Sequence, residues 1–374
     1  MNSPGAPDAN GSVVSLPPGA RPLRILIVNR HREDMLGGSE LQCDQIAAEL
    51  TRRGHAVTYA VRRPGRTTYG SPYPCVSVPD LAGFERLLAH TRPDAVYWRF
   101  NRADLRAALG LTHAAGARFV LALSHDDDTR VWPRIADLWP PQHALRALQS
   151  GWNALARQRI DGFIAQHEGQ ALGLAPERTR VIHNSAFVEV TPFAWPRPYV
   201  AWVANLKRRK RPESFVALAR ACSALGLDFL AVGALQDKRY AWLGQRARVP
   251  EAFHWLGALS PTAANGVIAG AESLVLTCEP EGFPNVLLQA WSLARPTLAL
   301  DYDPDGLIAR HRLGAVVRDE AELARELTRL HAAPDERASC GARARELVAR
   351  EFSLGPNVTA LEAFLRELLA RGGR

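Results

Sequence analysis

The stretch "CEPEGFPNVLLQA" (278–290) sets two carboxylates, Glu279 and Glu281, beside Gly282, directly after the apolar run 273–277. A strand that ends this way puts acids at its carboxyl end, where open α/β sheets bind their ligands. Pro284 then turns the chain into a helix whose first N–H groups and positive dipole end suit a phosphate. That helix is apolar except at Asn285, Gln289 and Ser292, spaced i, i+4 and i+7 to form one stripe. Glu281 on the loop and Gln289 on the second helical turn can therefore reach one ligand. The same spacing also describes a charged turn followed by a solvent-facing stripe, and spacing alone leaves both readings open.

A second cluster is Lys207-Arg208-Arg209-Lys210-Arg211, directly after the apolar run 200–204. Fixed ammonium and guanidinium groups at a strand end stabilise the negative charge of a departing diphosphate. Elsewhere a run of this kind is a solvated face or a nucleic-acid patch. Gly37 and Gly38 follow another strand-like run, 23–28, and let backbone come close to a ligand or simply make a turn. The segment "LSHDDDTRVW" (123–132) offers His125 and three successive aspartates, Asp126, Asp127 and Asp128. The aspartates admit two readings, an oxygen cage for a divalent metal or a plain acidic loop.

Something must hold these groups in place. A chain of 374 residues is too long for one ordinary core, so two domains are expected. Short β-like runs alternate with helical stretches, the pattern of parallel sheets flanked by helices. In the first half, strands fit 23–28, 56–61, 95–98, 118–123, 162–165 and 180–182. Ser39, with Gln42 three residues on, reads as a capping box opening a helix that runs to about Arg53. Pro192, Pro196 and Pro198 mark a linker, and a second alternating series follows. Its strands fit 200–204, 229–232, 253–256, 274–277 and 297–300, with helices over 211–225, 237–246, 261–270 and 284–294. The tail 321–369 is helical in pattern. The expected layout is a disordered tail over 1–21, Rossmann-like domains over 22–192 and 193–350 facing a cleft, and a helix over 351–374 that packs back on the first domain.

The remaining features exclude several classes. No apolar run approaches the ~18–20 residues of a membrane span. The Pro- and Gly-rich start lacks the basic and apolar regions of a secretory signal. Five scattered cysteines without C-x-x-C spacing argue against a disulfide framework or a zinc site and fit a reducing cytoplasm. The net charge of +8 is shared by both halves and forms no basic arm, so nucleic acid is not the expected partner. The segment 143–159 places Leu145, Leu148, Trp152 and Leu155 on one face with arginines around it. That pattern fits either contact with an anionic membrane surface or packing on the sheet.

Together these stretches resemble one known family. "TCEPEGFPNVLLQAWSLARPTLAL" resembles the nucleotide-sugar site of the retaining family 4 glycosyltransferases, which have the GT-B fold and carry two glutamates separated by seven residues. Glu281 matches the first glutamate, which in that family contacts the transferred sugar. Gln289 stands in place of the second, which holds the ribose hydroxyls. Arg295 stands where the family usually has glycine. "GGSELQCDQIAAELTRRGHAVTYAV" is similar to the family's glycine loop and first helix, and "VANLKRRKRPE" to its first nucleotide-domain strand and loop. There Lys210 matches the family lysine, while Asn205 replaces an arginine whose part Lys207, Arg208 or Arg209 would take. "DAVYWRFN" and "RVIHNS" place Arg99 and Asn184 on the acceptor side.

The resemblance implies an α/β GT-B protein that acts as a retaining hexosyltransferase. It would move a sugar from a UDP- or GDP-sugar to a hydroxyl of a glycan or lipid-linked acceptor, as in surface polysaccharide or glycolipid synthesis. Glu281, Lys210 and His125 would be its catalytic residues. Gly37, Gly38, Asn205, Arg209, Glu279, Gly282, Phe283, Pro284, Asn285 and Gln289 would line the donor. No cofactor or metal is implied. The expected location is the cytoplasm or the inner face of the plasma membrane. Two rival readings are a non-catalytic nucleotide-sugar binder and a GT-B epimerase or phosphorylase.

Overall fold

A computed structural model describes residues 20–35, 37–99, 104–124, 128, 153, 155–186 and 188–371. The first 19 residues, His125, Asp126, Asp127 and most of 143–159 lie outside the described residues, and with them the expectations placed there. The chain forms two compact units, Met1–Asn184 with Leu354–Arg374, and Ser185–Ser353.

The first unit is built on a parallel seven-stranded sheet of order β3-β2-β1-β4-β5-β6-β7. Its strands are β1 (Arg24–Asn29), β2 (Ala56–Val61), β3 (Cys75–Ser77), β4 (Ala95–Arg99), β5 (Arg118–Ala122), β6 (Gly162–Ala165) and β7 (Thr179–Val181). The helices are α1 (Gly38–Arg52), α2 (Leu81–Thr91), α3 (Leu105–Ala114) and α4 (Glu168–Ala171). Strand β1 shows why the sheet needs helices on both faces. Ile25 and Ile27 enter the core with Cys43, Ala47 and Leu50 of α1, while Leu26 and Val28 enter the one with Phe84, Leu87 and Leu109. Period-2 alternation of apolar residues on both faces is the signature of a buried parallel strand.

The second unit repeats the plan with a parallel sheet of order β10-β9-β8-β11-β12-β13. Its strands are β8 (Tyr199–Val203), β9 (Asp228–Val232), β10 (Phe253–Trp255), β11 (Leu274–Leu276), β12 (Thr297–Leu300) and β13 (Gly314–Val317). They alternate with α5 (Pro212–Ala221), α6 (Pro261–Gly270), α7 (Asn285–Ser292) and α8 (Leu307–Arg310), followed by α9 (Glu320–His331) and α10 (Pro334–Glu351). Val200 and Trp202 pack with Phe215 and Leu323, and Tyr199 and Ala201 pack with Val267 on the other face.

The last helix, α11 (Leu354–Ala370), belongs to the first unit. Val358, Leu361, Phe364, Leu365 and Leu368 join the core beneath α1. Arg53 at the end of α1 donates to Gly355 O at 2.6 Å and to Thr359 Oγ1 at 2.7 Å, and Glu362 lies 3.4 Å from His55 Nε2. Buried ion pairs and hydrogen bonds of this kind set where the helix docks, while the apolar face supplies most of the attraction.

Local details depart from the sequence reading. The first unit ends at Asn184, not at the prolines. The cause is that Glu189 and Thr191 are bonded to α6: Thr191 N donates to Thr262 O at 2.9 Å, and Asn265 Nδ2 donates to Glu189 O at 2.8 Å. The return to the first unit begins at Leu354 rather than 351. Strands β3 and β13 were not foreseen, being short and only partly buried. The helix expected at 237–246 is a 3-10 stretch, Lys238–Gly244. Ser39 is not the cap of α1. Gly37 holds that place, and the Ser39 hydroxyl donates to Glu40 Oε2 at 2.7 Å.

Candidate active site

In both sheets the strand order reverses once, between β1 and β4 and between β8 and β11. The loops leaving such neighbours at their carboxyl ends splay apart and leave a crevice for a ligand. In the second unit those loops are 204–211 after β8, with five cations, and 277–284 after β11, with Glu279 and Glu281.

The two loops are tied together from below. The Thr277 hydroxyl, fully buried, accepts from Trp202 Nε1 at 2.8 Å and donates to Lys210 O at 2.6 Å. Arg211, in a left-handed conformation (φ 46°), lays its guanidinium against Thr277 O and against Leu300 O at 2.9 Å. Glu279 N donates to Arg209 O at 2.8 Å. From the far side, the Tyr302 hydroxyl, just past β12, donates to the carbonyls of Glu281 and Gly282. This backbone scaffold fixes where the charged side chains emerge.

Lys210 and Glu281 then meet directly. Nζ forms an ion pair with Oε1, and each side chain keeps 16% of its surface exposed. Glu279 lies 3.6 Å from Arg208 and 3.7 Å from Arg209, and Arg209 Nη2 donates to Pro280 O at 2.9 Å. Cys278, just before the acids, is buried, and burial followed by the Glu281 charge pushes its thiol up to about 12. It is not a nucleophile at neutral pH.

Helix α7 starts at Asn285 with Pro284 before it, and its first turn is tight, Leu287 N donating to Pro284 O at 3.0 Å. Leu287, Leu288, Ala290 and Trp291 bury its inner face, leaving Asn285 and Gln289 half-buried on the other side. Gln289 makes no side-chain hydrogen bond among the described residues. Ser292 does not extend the polar stripe, because its hydroxyl donates to Leu288 O at 2.7 Å within the helix. Phe283, expected to line the donor, instead packs its ring into the core, 5.4 Å from Phe352 and edge-on to Trp291 at 6.2 Å. Gly282 and Pro284 are buried as well, so neither offers a side chain at the surface of this turn.

Asn205 also has a different place from the one expected. Its Oδ1 accepts from Ala234 N at 3.1 Å and clamps the β8 loop to the loop after β9, on the side away from β11. The bridge between Leu206 and Leu235 continues that clamp. Arg295, where the resemblance expects glycine, is half-buried and donates to Ala271 O at 3.1 Å. Asp303 caps α8 by accepting from Ile308 N at 2.9 Å and Ala309 N at 3.1 Å.

In the first unit, Gly37 caps α1 and Gly38 opens it, after β1 at the corresponding reversal. Gly37 is extended (φ −142°), so it is space and not conformation that it supplies: a Cβ there would stand 2.4 Å from Glu40 Oε2. Arg99 ends β4, the strand beside β1. It is buried and donates to Tyr97 OH at 3.1 Å and to Asn184 Oδ1 at 3.5 Å. Gln166 Nε2 donates to the same Asn184 oxygen at 3.0 Å. Arg99 and Asn184 thus meet in one buried polar network.

Sequence reasoning missed His31, which is fully buried at the loop after β1. Its Nε2 lies 2.9 Å from Ser71 Oγ, its Nδ1 accepts from Glu33 N at 3.3 Å, and Tyr69 stacks edge-on 4.5 Å away. Tyr302 and Thr277 were missed too. Their roles depend on which strands are neighbours, which no local pattern reveals. Among the described residues no group of three or more His, Cys, Asp or Glu is placed to hold a metal ion, and no helix is long and apolar enough to cross a membrane.

Comparison with known proteins agrees with this geometry. Residues 197–333, most of the second unit, match the family described as glycosyl transferases group 1. No curated protein is a significant match by sequence. Among solved structures, sucrose-phosphate synthase from Thermosynechococcus elongatus superposes with a TM-score of 0.73 at 16% identity, covering 93% of this chain and 100% of that one. HepE from Anabaena, solved with UDP and glucose, gives 0.69 at 15% identity, covering 92% and 100%. WaaG, described as a glycosyltransferase involved in lipopolysaccharide biosynthesis, gives 0.64 at 14% identity, covering 91% and 99%. Residues 197–333 are therefore similar to the group 1 glycosyl transferases, and the chain as a whole has the two-sheet fold of the GT-B glycosyltransferases.

Proposed function

We propose that this protein is a retaining glycosyltransferase that moves a hexose from a UDP- or GDP-sugar to a hydroxyl of a glycan or lipid-linked acceptor. The observation that carries the reading is the Lys210–Glu281 pair at the strand-order reversal of a domain that matches the group 1 glycosyltransferases. HepE, a protein of similar fold, has been solved with UDP and with UDP-glucose, which supports a nucleotide-sugar donor here.

Each residue has a chemical part. Lys210 meets the diphosphate and stabilises the charge it gains on leaving. Glu281 accepts hydroxyls of the transferred sugar. Gln289 holds the ribose by accepting from one hydroxyl and donating to the other. The N–H groups of Gly282 and the start of α7 add donors to the diphosphate. The glycines Gly37 and Gly38 and the Arg99–Asn184 network belong to the acceptor-bearing unit, and His125 keeps its catalytic part on the family resemblance alone. The bond from the anomeric carbon to the diphosphate oxygen breaks as the acceptor oxygen bonds to that carbon from the same face. The acceptor proton passes to the leaving phosphate. No nucleophilic side chain is needed, and fixed cations do the work a metal would do.

We place the protein in the cytoplasm, working on surface polysaccharide or glycolipid at the inner face of the membrane. A thermal-shift screen against UDP, GDP, ADP and their sugars tests the donor, and NMR of the product anomer tests retention. No shift with any nucleotide rejects the reading. A second reading, a nucleotide-sugar binder without turnover, is favoured by Gln289 standing where the resemblance expects a carboxylate. It requires binding without release of nucleotide under any acceptor.

A further inference from the structure

We propose that the second unit carries a separate anion site, for a phosphate group, in the hollow between Arg220 and Arg248. The site lies at the edge of the sheet opposite the donor loops and does not rest on the nucleotide-sugar reading.

The hollow has a volume of about 350 Å³, is open to solvent, and is lined by Arg220, Ser223, Ala247, Arg248, Val249 and Pro250. Arg220 is in the last turn of α5, and Ser223 follows that helix, ahead of β9. Residues 247–250 come just before β10. The hollow is thus at the amino ends of two strands, while Lys210 and Glu281 follow the carboxyl ends of β8 and β11. Helix α5 starts just past Lys210 and runs 10 residues, about 15 Å, with Arg220 near its far end.

The two arginines are anchored. Arg220 Nη2 donates to Arg248 O at 2.7 Å. The Arg248 guanidinium lies over the Trp242 ring, 5.6 Å from its centroid. Arg246 braces the turn between them and β10, donating to Phe253 O at 2.7 Å and to Glu251 O at 3.1 Å. These anchors use little of the donor capacity at the hollow. Among the described residues Arg220 makes no second side-chain hydrogen bond and Arg248 makes none. A guanidinium stacked on an indole keeps its in-plane N–H groups for an oxyanion.

Charge points the same way. No lining residue is acidic, and Arg220, Arg246 and Arg248 form no ion pair among the described residues. Glu251, the next acid along the chain, is exposed and forms none either. The carbonyl end of α5 opposes an anion, but with about half a charge against two full ones. A phosphate monoester offers enough oxygens to meet two guanidinium forks and the Ser223 hydroxyl at once. A carboxylate, with two oxygens, leaves one fork empty. The volume holds the phosphate and a small part of what bears it, either a soluble molecule or a lipid headgroup.

The test is calorimetric titration of the full chain with phenyl phosphate, beside co-sedimentation with phosphatidylcholine vesicles with and without phosphatidic acid. Wild type is compared with Arg248→Gln, the double variant Arg220→Gln/Arg248→Gln, Lys210→Ala, and Lys238→Gln, which removes an exposed cation outside the hollow. Affinity for the phosphate is expected to fall about tenfold in Arg248→Gln and about 100-fold in the double variant. Lys238→Gln and Lys210→Ala keep it, and melting temperatures stay level. Binding of phenyl phosphate without vesicle binding assigns a soluble ligand. Sedimentation that needs both phosphatidic acid and the two arginines assigns a headgroup. Equal affinity in wild type and the double variant overturns the inference, as does a wild type that binds neither probe. An equal loss in Lys238→Gln, the mark of a diffuse positive field, overturns it too. So does loss in Lys210→Ala with none in Arg248→Gln, which returns the phosphate to the donor loops.

Discussion

The Lys210 ammonium and the Glu281 carboxylate form a direct ion pair although they lie on loops from two different strands, β8 and β11. The pair is partly buried, so its Coulomb attraction is opposed by the desolvation of both charges. Each group has a proposed ligand of its own, diphosphate for Lys210 and sugar hydroxyls for Glu281. Donor binding therefore exchanges this contact for two others.

That exchange gives a prediction that separates binding from turnover. In Glu281→Gln the lysine is released and one negative charge is removed, so UDP alone binds several-fold tighter. Transfer from the nucleotide-sugar falls by about 100-fold or more, because the hydroxyl contact weakens where it matters for the reaction. Lys210→Ala loses both UDP affinity and transfer. Calorimetry with UDP and a steady-state transfer assay read the two effects. Weaker UDP binding in Glu281→Gln would mean that Glu281 serves to orient Lys210 for the phosphate.

Gln289, half-buried on the outer face of α7, tests the ribose contact. Gln289→Glu restores a charge-assisted acceptor, and UDP affinity is expected to rise by about tenfold while pyrophosphate affinity stays unchanged. Competition titration with the two ligands measures this. Equal gains for both ligands would show an electrostatic effect unrelated to ribose.

Thr277 tests the scaffold rather than the chemistry. Its hydroxyl joins Trp202 Nε1 to the carbonyl of Lys210. Thr277→Val keeps the shape but leaves a buried N–H without its acceptor, at a cost of about 1–3 kcal/mol. Urea unfolding should show that loss, with UDP affinity reduced because the Lys210 turn loosens.

The buried histidines make stability pH-dependent. Burial holds the His31 pKa below its ordinary value, with Asp44, Glu33 and Asp34 opposing that effect and Arg32 adding to it. The neutral ring accepts from Glu33 N and meets Ser71. In the unfolded chain the ring takes a proton below about pH 6.5. The unfolded state thus binds more protons as pH falls below that point, and stability drops with it. His55, also buried and lowered first by desolvation, acts in the same direction. The melting temperature should hold above pH 7 and decline between pH 6.5 and 5, with a shallower decline in His31→Gln. An identical slope in that variant would assign the decline to other groups.

The alternation of apolar runs with helical stretches was legible because burial of both faces of a parallel sheet leaves near-continuous apolar strands, as in Arg24–Asn29. The acids and cations past 274–276 and 199–203 were legible because strand ends in such folds are marked by an abrupt change to charge. Short, half-exposed strands such as Cys75–Ser77 carry too few apolar residues to announce themselves. The domain boundary was misplaced because prolines signal a break in regular structure, while the hydrogen bonds from 189–191 to α6 that settle the matter are long-range. Phe283 was assigned to the ligand by the family resemblance, but its ring turns into the core beside Phe352.

The sequence by itself determined the two α/β series and the charge types at two loops, since periodicity and residue chemistry are local properties. Only the tertiary structure decided which of five neighbouring cations is held by carboxylate, which by carbonyl and which by neither. It also decided that Asn205 is a clamp and that Tyr302 braces the Glu281 loop. Those outcomes depend on strand order. β8 lies beside β11, and β11 beside β12, only once the sheet has formed, and hydrogen bonds and ion pairs act over a few ångströms of space rather than along the chain.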